Sequence, residues 1–99
     1  MTNKNIFDLI KYSKDGILSN VIFKEVNTQV TLFCMAANTD IGDHTSTKEG
    51  YVQVIEGKGI FNLEGEEISM EPGRLIYMKK NAKHSLKAIQ NTSFILILN

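Results

Sequence analysis

Short stretches of alternating apolar and polar residues recur along most of this chain, and they constrain its fold more than any other feature. In the clearest stretch Gly50, Val52 and Val54 share one face of a strand, while Tyr51 and Gln53 point to the other. Similar stretches follow at 60–63, 68–70, 74–78 and 84–89, and an apolar strand follows at 93–98, with polar and Gly-rich turns between them. No helix-length pattern follows the first dozen residues. The sequence therefore predicts an all-β fold, an antiparallel sandwich or barrel.

The first half of the chain adds two strands of a different character. Residues 17–26 are rich in β-branched and aromatic side chains, and residues 30–37 form a nearly continuous apolar run. Such a run is typical of a strand that is buried on both faces. The turn sequences Glu56-Gly-Lys-Gly and Glu64-Gly-Glu-Glu predict two tight hairpins in succession.

The N-terminal residues are expected to lie outside the main sheet structure. We interpret 1–99 as one domain, in which 1–16 form an outer segment and 30–98 form the core. Apolar residues at 6, 7, 9 and 10 are too few to distinguish a helical turn from an edge strand. We expect this segment to pack on the outside of the domain or on a partner subunit.

Charge and composition exclude several classes of partner. Lys and Arg together number 11, as do Asp and Glu, so the formal net charge is zero. Nucleic acids and anionic lipids are bound through clustered positive charge, and neither partner is expected here. No apolar run is long enough to span a bilayer, and the N-terminus lacks the apolar core of a secretory signal. We therefore expect a cytoplasmic protein, and the single cysteine, Cys34, agrees with a reducing compartment.

The only two histidines of the chain, His44 and His84, are the leading candidates for a site. A fold that brings them together would offer two imidazoles to a metal ion or to a polar or anionic ligand. The alternative is that each imidazole is simply a hydrogen-bonded polar group.

The residues around these histidines resemble the two motifs of a small, single-domain cupin, G-x5-H-x-H-x3,4-E-x6-G and G-x5-P-x-G-x2-H-x3-N. The resemblance covers roughly residues 30–98. In the first motif His44 and Gly57 keep their places, while Asn38, Ser46 and Gly50 stand at the positions of the opening Gly, the second His and the Glu. In the second motif Gly73 and His84 match, and Lys79, Asn81 and Ala88 depart from the pattern. The sequence is similar to a subgroup of short cupins with His-Thr-Ser in place of His-x-His.

This resemblance implies a cupin-like antiparallel β-barrel, or double-stranded β-helix of the jelly-roll type, with a degenerate metal site. Metal-binding cupins hold one transition metal on the two His and the Glu of the first motif and the His of the second. Here His44 and His84 remain, whereas a Ser hydroxyl is a poor ligand and Gly50 has no side chain. The resemblance thus implies one transition metal ion, of unspecified identity, as the cofactor of a site that keeps only two of the four ligands.

Several other side chains are candidates to complete a site around the histidine pair. Cys34 is either a third, soft metal ligand or a small buried hydrophobe. Glu49 lies one position before the usual Glu, so the alternation of a strand directs it away from the cavity unless a bulge intervenes. We take Ser46, Gln53 and Tyr77 as candidate ligand-binding residues beside the two histidines. Val52, Val54, Ile76 and Leu86 are expected to form an apolar interior face.

The leading functional hypothesis is a small-molecule-binding cupin whose degenerate metal site lies on His44 and His84. The first alternative is a metal-dependent enzyme, for example an oxygenase, isomerase or lyase, that acts on a small polar substrate. A further alternative is a structural or regulatory dimerisation module. A homodimer that pairs through outer strands is expected in each case, because pairing protects an exposed sheet edge.

Overall fold

A computed structural model describes residues 2–99 as a sandwich of two antiparallel sheets. The strands are β1 (Ile17–Lys24), β2 (Gln29–Met35), β3 (Asp40–His44), β4 (Gly50–Glu56), β5 (Gly59–Leu63), β6 (Glu66–Met70), β7 (Leu75–Met78), β8 (His84–Ala88) and β9 (Thr92–Leu98). One sheet has the order β1-β2-β9-β4-β7, and the other has the order β3-β8-β5-β6. The all-β, jelly-roll prediction is confirmed. Among residues 2–99, no helix is long and apolar enough to cross a membrane.

The main core lies between the two sheets. It is built from the inward-facing residues that strand alternation selects, among them Val52 and Val54 of β4, Ile76 of β7 and Leu86 of β8. The predicted interior face is therefore found as expected. Met35, Phe61, Met70, Met78, Ala88 and Phe94 complete the buried cluster.

A second, smaller core lies on the outer face of the larger sheet. Ile22, Leu32, Cys34 and Ile95 are buried there, beneath apolar side chains from the N-terminal residues. Those residues form one turn of 3-10 helix at Ile6–Asp8, which the side chain of Asn5 caps by accepting a hydrogen bond from the Phe7 amide. Strand β2 is thus buried on both faces, as its continuous apolar run predicts.

Two details of the connectivity differ from the prediction. The turn at Glu56-Gly-Lys-Gly does not close a hairpin, because β4 pairs with β7 and β9 while β5 pairs with β6 and β8. The chain instead crosses from one sheet to the other at this turn. The second turn does close a hairpin between β5 and β6, with positive φ at Glu64 and Gly65. The polar segment that leads to His44 forms an additional edge strand, β3.

Candidate functional site

The two histidines lie opposite each other in the smaller sheet. His44 ends the edge strand β3 and pairs in register with His84, the first residue of β8. Their ring centroids are 4.1 Å apart, with the ring planes at 60°. The predicted convergence of His44 and His84 is therefore present in the structure.

A β-bulge directs His44 toward the cavity between the sheets. His44 is three residues after Ile41, so regular alternation would place their side chains on opposite faces of β3. The pairing register shifts between these two residues, and both side chains line the same cavity. The bulge thus allows a polar edge strand to contribute both an apolar wall residue and an imidazole.

Each imidazole is held by a backbone carbonyl two residues earlier in the chain. Nδ1 of His44 is 3.0 Å from the carbonyl oxygen of Gly42, and Nδ1 of His84 is 3.0 Å from that of Ala82. A carbonyl oxygen only accepts, so in each ring Nδ1 carries the proton and donates. In the neutral form, Nε2 of each ring is then an unprotonated acceptor.

The two rings differ in their surroundings. His44 is exposed at the rim, whereas His84 is only 7% exposed and stacks on Phe61, with ring centroids 5.8 Å apart and ring planes at 4°. Burial lowers the pKa of His84, and the nearby His44 lowers it further, against the opposing effect of the Ala82 carbonyl. The inner imidazole therefore favours the neutral form.

The cavity that both rings line has a volume of about 120 Å³ and is otherwise apolar. The two sheets contribute side chains to opposite walls. Its remaining lining residues are Phe33, Ile41, Val52, Phe61, Met78, Leu86, Phe94 and Leu96. A concave apolar space with a few polar groups at one end has the character of a small-molecule site.

A larger groove of about 540 Å³ lies on the outer face of the smaller sheet, but it does not have this character. Asp40, Asn62, Glu67 and Lys87 are among its lining residues, and none of these side chains is buried. The groove is open to solvent, and neither histidine lines it. We therefore assign the candidate site to the smaller cavity.

The donors at the histidine pair do not fit the metal centre that the motif pattern implies. Within residues 2–99, no group of three His, Cys, Asp or Glu side chains is placed to hold a metal ion. Two imidazoles at a metal–nitrogen distance of about 2.0 Å would have ring centres about 5 Å apart on a tetrahedral ion and about 4.5 Å apart at neighbouring positions of an octahedral ion. The observed separation is 4.1 Å, which is the spacing of packed neighbours.

The position of the missing carboxylate ligand is also filled. A side chain at Gly50 would begin 2.8 Å from Cε of Met78 and 3.3 Å from Cδ2 of Leu98. Met78 lines the same cavity as both histidines. Apolar side chains thus occupy the space into which a ligand from position 50 would project.

The structure does not bring Cys34 to the histidine pair. Its neighbour in the chain, Phe33, lines the cavity, and alternation along β2 places Cys34 on the opposite face of the sheet. There it is buried with Ile22, Leu32 and Ile95, and burial raises the pKa of its thiol. Of its two interpretations, the small buried hydrophobe describes its surroundings.

Three candidate ligand-binding residues also lie away from the cavity. Tyr77 is on the outer face of β7, where its hydroxyl donates to the Glu49 carboxylate over 2.7 Å. Gln53 is on the outer face of β4, opposite to Val52 and Val54. Ser46 accepts a hydrogen bond from the Lys48 amide in the loop after β3 and does not line the cavity. Glu49 faces outward, as expected.

The aromatic walls were not anticipated from the sequence. Phe33, Phe61 and Phe94 line the cavity, and Phe33 stacks on Phe94 with centroids 5.0 Å apart. Phe61 lies in the alternating stretch after Gly59, and the alternation of β5 puts its side chain on the same inward face as Gly59. Phe33 and Phe94 lie in apolar runs where periodicity does not identify the inner face.

The fold recurs among solved structures. A conserved protein of unknown function from Streptococcus pyogenes is 20% identical, with a TM-score of 0.88, over 98% of this chain and 85% of that chain. An RmlC-like cupin protein from Desulfovibrio desulfuricans is 17% identical, with a TM-score of 0.88, over 99% and 95% of the two chains. At these identities the likeness shows the fold alone.

A larger enzyme contains a similar domain. A variant of salicylate 1,2-dioxygenase from Pseudoaminobacter salicylatoxidans, solved in complex with gentisate, is 17% identical, with a TM-score of 0.79. The match spans 84% of this chain but only 25% of the dioxygenase.

The sequence itself gives a more direct assignment. Comparison with curated proteins finds no match. A family model described as the cupin domain, however, matches residues 31–98, which include both histidines, the cavity walls and the turn at Gly57. The chain belongs to the cupin domain family.

Proposed function

We propose that this protein is a small-molecule-binding cupin whose ligand occupies the cavity between the sheets and contacts His44 and His84. One observation carries the proposal: two imidazoles, each fixed through Nδ1 to a backbone carbonyl, line a cavity whose other walls are apolar. Fixed rings orient a ligand at little cost in side-chain entropy.

The physical character of the cavity supports a small, largely apolar ligand. Removing apolar surface from water contributes about 25 cal/mol per Å², so even a ligand of a few heavy atoms gains a useful affinity. The exposed position of His44 gives access from solvent at the rim.

A metal-dependent enzyme is the chief alternative, and fewer observations support it than support the binding protein. The related fold of the gentisate-bound dioxygenase is in its favour. The donor set is against it, because His44 and His84 are joined by no third ligand among residues 2–99. A purely structural module would not require two oriented imidazoles in a cavity wall.

The proposal is tested by measuring ligand binding with a variant that fills the cavity. We expect small aromatic and aliphatic probes to shift amide resonances of β4, β8 and β9 in two-dimensional NMR spectra. Ile41→Trp places a large ring in the cavity from the edge strand and should abolish these shifts. Ile89→Trp, at an exposed loop position outside the cavity, is the matched control. Equal shifts in both variants would contradict the assigned site.

We also propose that two copies pair through the outer face of β4 and β7. Tyr51, Leu75 and Tyr77 are exposed there, and β7 is an edge strand of the larger sheet. Exposed apolar side chains beside an unpaired edge are typical of interfaces.

Light scattering tests this pairing. The native protein should have twice the monomer mass, and Leu75→Lys should have the monomer mass. The control Val26→Lys, at another exposed apolar position, should remain a dimer. A monomeric native protein would refute the pairing.

A further inference from the structure

We propose that the histidine pair selects a flat, uncharged, single-ring molecule that carries an O–H or N–H donor, of which phenol is the simplest example. This inference rests on the proposed function, since it names the class of ligand for the same cavity. It follows from the hydrogen-bonding capacity of the walls, from their charge and from their shape.

The walls present acceptors and lack a matching donor. Both Nδ1 atoms donate to the carbonyl oxygens of Gly42 and Ala82, which leaves both Nε2 atoms as acceptors when the rings are neutral. The other lining side chains are hydrocarbon or thioether groups, none of which donates a hydrogen bond. In the free protein water can bond to these nitrogens, and a ligand that displaces the water without supplying a donor loses those hydrogen bonds, so a ligand that supplies a donor is favoured over one that does not.

The walls are also unsuited to an anion. No Lys or Arg side chain lines the cavity, and apart from the two imidazoles its walls are hydrocarbon and thioether groups. An anion would therefore lose its hydration without gaining an opposite charge, which is costly in apolar surroundings. The same acceptors do not suit a metal ion, because no third His, Cys, Asp or Glu side chain among residues 2–99 joins them and the two rings are spaced as packed neighbours.

The shape of the cavity favours a flat ring. Phe33 and Phe94 are stacked within 6° of parallel on the wall from the larger sheet, and Phe61 and His84 are stacked within 4° on the wall from the smaller sheet. Aromatic faces and edges on two sides provide favourable contacts to an aromatic guest. An engineered apolar cavity of about 150 Å³ holds benzene. The present volume of about 120 Å³ is open at the His44 rim, so it suits one ring whose polar group lies at the mouth.

The test compares three probes of similar size in the native protein by NMR titration: phenol, toluene and benzoate. Phenol donates a hydrogen bond, toluene has no donor, and benzoate is an anion. We expect phenol to bind about tenfold more tightly than toluene, and benzoate to bind more weakly than either. His84→Phe keeps a ring on Phe61 but removes an acceptor, so it should reduce the preference for phenol over toluene several-fold. His44→Phe, on the exposed edge strand, repeats the test if the first variant does not fold.

The possible outcomes separate this inference from the proposed function. Equal binding of phenol and toluene, or a preference unchanged by both substitutions, would overturn the donor requirement and leave the cavity assignment standing. Tightest binding of benzoate would overturn it in favour of a charged imidazolium site. Failure of every probe to bind would remove the proposed function itself.

Discussion

At the scale of single residues, His84 is the buried titratable group of the candidate site. It is buried against Phe61, it faces a second imidazole, and its Nδ1 proton is committed to the Ala82 carbonyl. A protonated His84 would lose hydration and repel a protonated His44 across 4.1 Å. The neutral form of His84 is therefore an acceptor for a ligand and the form that burial favours.

The lowered pKa of His84 predicts that acid destabilises the fold. The unfolded chain binds a proton on this imidazole near pH 6.5, whereas the folded protein resists protonation to a lower pH. Between these two pKa values the unfolded state carries more protons, so the free energy of unfolding falls as the pH falls. Melting temperatures recorded from about pH 8 to about pH 5 should therefore decrease below pH 6.5.

Two substitutions assign this pH dependence to the buried ring. His84→Phe should flatten the decrease in melting temperature, because it removes the titrating group. His44→Gln should retain most of the decrease, since burial is the larger cause of the shift and remains in that variant. A decrease that persists unchanged in His84→Phe would assign it to other groups.

The site could be predicted from the sequence in part, and the residues show why. The spacing of His44 and His84 within the motif pattern predicts their convergence correctly. Cys34 was considered as a third ligand because a continuous apolar run does not indicate which face of its strand meets the cavity. The inward direction of His44 depends on a bulge after Ile41, and a bulge leaves no periodic signal in a polar segment of five residues.

At the scale of the elements, the turn at Gly57 is what sends the chain from one sheet to the other. Gly57 has φ of 106°, in the region that L residues with a Cβ avoid. A Cβ there would collide with the carbonyl oxygen of Asn91 and lie 2.5 Å from Cα of Thr92. The turn is packed directly against the start of β9, where the Thr92 hydroxyl accepts from the Lys58 amide. Both backbone conformation and space therefore require glycine.

Alanine substitutions distinguish these two requirements. Gly57→Ala should lower the free energy of unfolding by about 3 kcal/mol, because it adds backbone strain and a steric collision. Gly65→Ala also forces a positive φ but meets open space, so its cost should be about 1–2 kcal/mol. Gly42→Ala has neither constraint and should change stability by less than about 0.5 kcal/mol. Chemical denaturation of the three variants measures this order, and a Gly57→Ala cost no larger than that of Gly65→Ala would contradict it.

The N-terminal segment is the second element with an assigned role, because it covers Cys34. Leu9 and Ile10 pack on the outer core, and the Tyr12 hydroxyl donates to the Glu56 carboxylate over 2.8 Å. Burial raises the pKa of Tyr12 to about 12. Phe7, in the same segment, is 69% exposed and contributes little to this cover.

Thiol reactivity should report on this cover. In the native protein Cys34 is 3% exposed and its thiolate is disfavoured by burial, so an aromatic disulfide reagent should react slowly. The double variant Leu9→Ala, Ile10→Ala should react at least roughly tenfold faster, because it loses about 2 kcal/mol of packing over the thiol. Phe7→Ala should react at the native rate. A double variant with the native rate would show that the segment does not protect Cys34.

The positions of the strands could be predicted from the sequence better than the pairing of the strands. Alternation along β4 to β8 depends only on neighbouring residues, so these strands were found close to their observed bounds. Pairing depends on the distant strands that compete for each edge. A Gly-rich turn after β4 indicates that the chain reverses, but it does not indicate that β9 and β7 occupy both edges of β4. The predicted hairpin was wrong for this reason.

At the scale of the whole molecule, stability arises from two apolar cores and from the hydrogen bonds between antiparallel strands within each sheet. The main core fills the space between the sheets, and the outer core ties the N-terminal segment to β1, β2 and β9. Met78 fills the space beside Gly50, and each histidine donates from Nδ1 to a backbone carbonyl, so side-chain packing holds the interior together around the cavity.

This arrangement predicts that the fold is independent of metal. A ligand that binds only the native state raises its stability in proportion to the logarithm of its concentration over its dissociation constant. Two imidazoles spaced as packed neighbours, without a third donor among residues 2–99, should bind transition metals weakly. Protein purified without an affinity tag should therefore contain well under one metal ion per chain by elemental analysis, and treatment with a chelator should leave its melting temperature unchanged. Added Zn²⁺ should stabilise the native protein only slightly, and a His44→Ala, His84→Ala variant not at all.

Stoichiometric metal that is lost in the double variant, together with a fall of several degrees in melting temperature on chelation, would contradict this prediction. It would show that the histidines recruit further ligands and that the packed interior opens to receive an ion.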